Sequence, residues 1–89
     1  MPDNSREFTI RRGINVRMPF GSVGGVDVVR AQDGQPDRAK LYIALPGGEG
    51  EARYLPVGAT FDLANGAWTV TGISGAGTEF WSVRLRRID

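Results

Sequence analysis

The stretch FDLANGAWTV, residues 61–70, carries the clearest structural signal in the chain. At its centre lies Asn65-Gly66, the dipeptide that most readily adopts positive φ at both central positions of a type I′ hairpin turn. A two-residue turn there would bring the apolar residues of both arms to one side of the hairpin, in the pairs Phe61–Val70 and Leu63–Trp68. Apolar cross-strand pairs of this kind stabilise a hairpin by about 0.2–1 kcal/mol each.

The same period of two runs through the rest of the chain, and no window carries a helical stripe of two turns. We therefore predict a single all-β domain over residues 1–89, a small antiparallel β-barrel or β-sandwich of about seven or eight short strands without substantial helix. Residues 1–6 are expected to form a flexible N-terminal segment. The alternation predicts a core that contains Leu41, Ile43, Phe61, Leu63, Trp68, Val70, Val83 and Leu85.

Several positions interrupt the alternation. Pro19 is expected to end a strand or to occupy an edge, because proline cannot donate to a ladder. The glycine-rich segment GSVGG, residues 21–25, is interpreted as a turn or bulge. After Val70 the apolar phase slips by one residue, and a bulge at Thr71-Gly72 would restore it, since glycine tolerates the bulged backbone.

Composition excludes several kinds of chemistry. The chain of 89 residues has no cysteine and no histidine, so it offers no disulfide, no thiol nucleophile and no serine triad. The ten acidic residues are scattered, and the net charge is only +1, which gives no field to steer the protein onto nucleic acid. We expect a cytoplasmic, non-enzymatic protein that uses no cofactor and no metal.

Three motifs in the second half resemble a known group of proteins. They are G-x-T-F at residues 58–61, W-x-V-x-x-I at 68–73 and V-x-L-R-R at 83–87. In this order, over residues 57–88, they are similar to a group of small actinobacterial all-β proteins of unknown function. The resemblance implies a small bacterial β-domain and no particular activity.

Two functional classes stay open. The first is a protein–protein interaction module or small subunit of a larger assembly, because exposed aromatic side chains with arginine are typical of interface hot spots. Its candidate interface residues are Phe80, Arg84, Arg86, Tyr42 and Tyr54. The alternative is a small barrel of the OB type that binds single-stranded nucleic acid through Arg84, Arg86 and Phe80. Arg11, Arg12 and Arg17 would join that site if the first and last strands are neighbours.

The closing segment EFWSVRLRRID, residues 79–89, places Arg84 and Arg86 on one face of a last strand. That face is interpreted as solvated or acid-paired, as a protein interface, or as a nucleic-acid site. A chain this short gains stability by self-association, and we expect a homodimer through the free edge of the terminal strand.

Overall fold

The computed structural model describes residues 7–32 and 34–88, all of them in strands, turns and loops. The segment 1–6, expected to be flexible, lies outside the described residues. The strands are β1 (Glu7–Arg11), β2 (Asn15–Met18), β3 (Gly21–Val29), β4 (Arg38–Ala44), β5 (Gly50–Pro56), β6 (Thr60–Leu63), β7 (Gly66–Ser74) and β8 (Ser82–Ile88). The described residues include no helix that is long and apolar enough to cross a membrane.

The strands form two four-stranded antiparallel sheets. One, the arginine sheet, has the order β1-β8-β7-β6, and the other, the tyrosine sheet, has the order β2-β3-β4-β5. This is the strand order of an eight-stranded up-and-down barrel in which β1 does not pair with β2 and β5 does not pair with β6. The fold is therefore a sandwich, and the barrel that the sequence left open is not closed.

The core fills the space between the two sheets and confirms the predicted inward set. All eight predicted core residues are buried, and Leu41, Trp68 and Val83 are fully so. Trp68 is the largest of the fully buried side chains. Its ring packs against Phe8, at a centroid distance of 4.9 Å, and against Phe20, at 5.8 Å. Aromatic pairs at such distances add to the free energy gained from buried area.

The hairpin of β6 and β7 forms, but in a register two residues from the predicted one. Phe61 faces Trp68 and Leu63 faces Gly66, so the turn residues are Ala64 and Asn65. Asn65 is held there because its Oδ1 accepts the indole N–H of Trp68 at 3.0 Å. A shift of two residues keeps every side chain on its own face, which is why the predicted core survives the wrong register.

The three predicted interruptions have different outcomes. Pro19 directly follows the last residue of β2, as expected. The bulge at Thr71-Gly72 is confirmed: Val70 pairs with Leu85 and Gly72 with Arg84, which leaves Thr71 as the extra residue. The interpretation of residues 21–25 as a turn or bulge is wrong, because all five belong to β3. The bulge of β3 follows them, between Gly25 and Asp27.

Close packing between the sheets explains Gly25 of β3. A Cβ on Gly25 would lie 2.5 Å from the carbonyl oxygen of Arg11 and 2.7 Å from Cγ2 of Ile10. Glycine within a strand often marks such an approach. Gly25 thus reflects packing and not a turn.

The terminal strand is not an edge. β8 pairs with β1 on one side and with β7 on the other, so its backbone hydrogen-bonding groups are used on both sides. Because β8 has no free edge, the predicted dimer cannot form through a free edge of this strand.

Candidate interaction surface

The structure distributes the five predicted interface residues over three surfaces. Tyr42 and Tyr54 lie on the outer face of the tyrosine sheet. Arg84 and Arg86 lie on the outer face of the arginine sheet, as the alternation of β8 predicts. Phe80 lies in the turn that precedes β8. A single partner that contacts one sheet face would not use all five.

Tyr54 stands on the edge strand β5 and is bracketed by cations. It pairs across the ladder with Lys40, whose Nζ lies 5.5 Å from the ring centroid. The guanidinium carbon of Arg38 lies 5.7 Å from the same centroid. Cation–π contacts at these distances restrict the ring and both cationic side chains. Tyr54 is nevertheless 52% exposed, so its phenol is available to a partner.

Tyr42 stands on β4, surrounded by small residues. Its neighbours across the two ladders are Gly24 on β3 and Ala52 on β5. The ring also lies against Gly50, where a Cβ would clash with Cε1 of the tyrosine. Because none of these neighbours is as large as a tyrosine ring, Tyr42 projects above them.

The outer face of the tyrosine sheet carries more cations than anions. Arg17, Arg38 and Lys40 alternate outward on β2 and β4, and the facing carboxylate is Asp27 on β3, opposite Lys40. The Oδ1 of Asp27 also accepts the backbone N–H of Val28 at 2.8 Å. We name the face that contains Tyr42, Tyr54 and these four residues the tyrosine face. Neither Lys40 nor Arg38 is among the residues that the sequence predicted to belong to a site.

Arg84 and Arg86 have a different environment. Arg84 lies opposite Thr9 on β1. Its guanidinium covers Gly72, since a Cβ added to that glycine would lie 3.2 Å from Nη2 of Arg84. Arg86 lies opposite Glu7, so a carboxylate stands beside it on the same face. The pairing of β1 with β8 brings Arg11 to this sheet, whereas Arg17 belongs to the other one.

Among the described residues Phe80 is the most exposed large apolar side chain, at 89%. Its turn is fixed by Thr78, whose backbone N–H and hydroxyl both donate to the carbonyl of Gly75, and whose Oγ1 accepts the N–H of Phe80. Glu79 lies 3.8 Å from Arg12 in an exposed ion pair. An open cleft of about 230 Å³ joins Phe80 to Arg11 and Arg12.

The described residues contain no group of three or more carboxylates placed to hold a metal ion. In the loop between β3 and β4, the Oδ1 of Asp37 accepts the N–H of Ala31 at 2.6 Å.

Comparison with known proteins yields a family and no activity. No curated protein and no solved structure is significantly similar to the chain. One family has a sequence model that matches residues 5–89, well beyond the segment 57–88 on which the resemblance rested. The chain therefore belongs to the family of unknown function DUF6406.

Proposed function

We propose that this chain is a non-enzymatic protein-interaction module and that the tyrosine face is its docking surface. The observation that carries the proposal is Tyr54, half exposed on an open sheet face and flanked by Arg38 and Lys40. Tyrosine and arginine are enriched in the centres of protein interfaces, where each supplies a large contact area.

The partner is expected to present acidic groups around an apolar centre. Three cations and one carboxylate line the tyrosine face, so a negatively charged rim on the partner would complement it. The cation–π contacts support the same surface, because side chains that are already restricted lose less conformational entropy when a partner binds.

A protein partner fits this face better than nucleic acid does. Single-stranded nucleic acid stacks its bases on open aromatic rings, and its affinity comes largely from several phosphate contacts. Here two cations already lie against Tyr54, and the ring of Tyr42 lies against Gly50. Three basic residues beside Asp27 provide few phosphate contacts.

The test compares two matched double variants as bait in extracts of the source cell. Tyr42→Ser/Tyr54→Ser alters the tyrosine face, and Arg84→Ser/Arg86→Ser alters exposed residues on the opposite sheet. We expect a protein captured by the wild type and the arginine variant but not by the tyrosine variant. Titration of that purified protein should show affinity reduced about tenfold or more by the tyrosine changes, the scale of a hot spot.

Equal capture by both variants would show that the tyrosine face is not the docking surface. Tyrosine-dependent binding of labelled single-stranded DNA or RNA at about 50 mM salt, falling steeply as salt rises, would overturn the protein-module proposal in favour of nucleic acid. Loss of binding by the arginine variant alone would move the site to the arginine sheet.

A further inference from the structure

The longest free strand edge belongs to β5. Among the described residues this seven-residue strand pairs only with β4, and no strand occupies its other side. An unpaired edge of this length is a template for another strand unless charge or shape blocks it. β5 carries two charged residues, Glu51 and Arg53, whose side chains alternate with those of Ala52 and Tyr54.

Glu51 and Arg53 lie on the inner side of β5, at the open margin of the sandwich. They pair with Ile43 and Leu41 of the core, yet both remain exposed. An open cleft of about 460 Å³ adjoins them and reaches Asp62 on β6. Because β6 does not pair with β5, this cleft leaves the edge accessible to a strand from outside.

We propose that β5 is a self-complementary edge and that two copies of this chain join through it in a symmetric antiparallel dimer. The two-fold axis passes beside Ala52. Glu51 of each copy then faces Arg53 of the other, so that the interface contains two cross-strand pairs of opposite charge. Opposed charges stabilise an antiparallel pair, whereas like charges in the same position destabilise it.

The alternative registers do not share this property. Opposed residues of an antiparallel pair point to the same face, so a continuous sheet requires an axis centred on a residue. An axis at Glu51 opposes two glutamates, and an axis at Arg53 opposes two arginines. An axis at Tyr54 places Arg53 opposite Leu55. Only the axis at Ala52 pairs both inner charges with opposite partners.

The same register brings tyrosines of the two copies together on the outer face. Tyr54 of one copy lies opposite Gly50 of the other, beside the Tyr42 ring that already covers that glycine. The dimer would join the two tyrosine sheets into one eight-stranded sheet and make their tyrosine faces continuous.

The test is a charge exchange read by sedimentation or light scattering at about 10–100 µM. The wild type is expected to be a dimer. Arg53→Glu leaves two glutamates on each edge, Glu51→Arg leaves two arginines, and either should weaken the dimer about tenfold or more. Mixing these two variants should produce a heterodimer, because the acidic edge of one variant then faces the basic edge of the other. The double variant Glu51→Arg/Arg53→Glu should self-associate again.

The control variant Arg84→Glu/Arg86→Glu reverses charges on β8, whose two edges are occupied, and should leave the dimer unchanged. Far-UV circular dichroism on each variant separates loss of the dimer from loss of the fold. A wild type that stays monomeric at about 100 µM would show that Glu51 and Arg53 protect the edge. A dimer indifferent to all the reversals at β5 would place the contact elsewhere. This proposal does not depend on the proposed function, since none of its variants changes Tyr42 or Tyr54.

Discussion

Gly25 lies where β3 of the tyrosine sheet touches the other sheet. Three groups surround the position that its Cβ would take: the Arg11 carbonyl oxygen at 2.5 Å, Ile10 Cγ2 at 2.7 Å and Trp81 Cη2 at 2.9 Å. Two of the three belong to buried side chains, and the third is backbone that pairs with β8. No neighbour can move aside without displacing the packing of a sheet.

Gly25→Ala is therefore expected to destabilise the fold by about 1–3 kcal/mol, as overpacking of a core does. The control is Gly48→Ala, because a Cβ there meets only Leu45, at an ordinary 3.5 Å. The control should change stability by no more than about 0.5 kcal/mol. Urea denaturation of the two variants measures both effects, and equal stability would contradict the close approach.

At the scale of elements, the sequence predicted which side chains of a strand point into the core, but it did not predict which residues pair across neighbouring strands. Alternation identified the buried faces of β4, β6, β7 and β8 because burial of apolar residues sets that period directly. The observed hairpin register is accompanied by a local side-chain hydrogen bond from Trp68 to Asn65, which the backbone preference of the Asn-Gly dipeptide does not include. The glycine-rich sequence of β3 resembles that of a turn, because close packing of strands and chain reversal both favour glycine.

For the candidate site residues too, alternation predicted the exposure of each side chain but not which residues lie together. Exposure of Tyr42 and Tyr54 followed from alternation, but their separation from Arg84 and Arg86 followed from the division into two sheets. The contacts of Arg38 and Lys40 with Tyr54 depend on the pairing of β4 with β5. Local sequence does not determine which strands pair.

The β7 bulge offers a sharp test of the pairing. Thr71 is the extra residue between Val70 and Gly72, and its hydroxyl donates to the carbonyl of Arg84 at 3.3 Å. Deletion of Thr71 should leave a regular ladder and a cooperative, somewhat less stable fold. Deletion of Thr69 removes a paired residue and shifts the alternation by one, so that Trp68 or Val70 moves to the opposite face, which should abolish cooperative unfolding. Thermal denaturation compares the two deletions, and similar losses would contradict the assigned bulge.

At the scale of the whole molecule, the pairing of β1 with β8 dominates the topology. Phe8 lies opposite Leu85, so residues from nearly opposite ends of the described chain must meet before this sheet is complete. Loop closure over such a distance slows folding, and all-β domains with non-local pairing fold in milliseconds to seconds. We expect stopped-flow refolding on that timescale. Complete refolding within microseconds would contradict the expectation that the pairing of β1 with β8 limits the folding rate.

The position of β8 between β1 and β7 also has a consequence for synthesis on the ribosome. β2 to β5 pair only with sequential neighbours, so their sheet can assemble while later residues are still being added. β1 emerges first but waits roughly seventy residues for β8, which amounts to roughly 4–14 seconds at about 5–20 residues per second. During that interval Phe8 and Ile10 have no partner strand to cover them, and the nascent chain presents them to chaperones and to other chains.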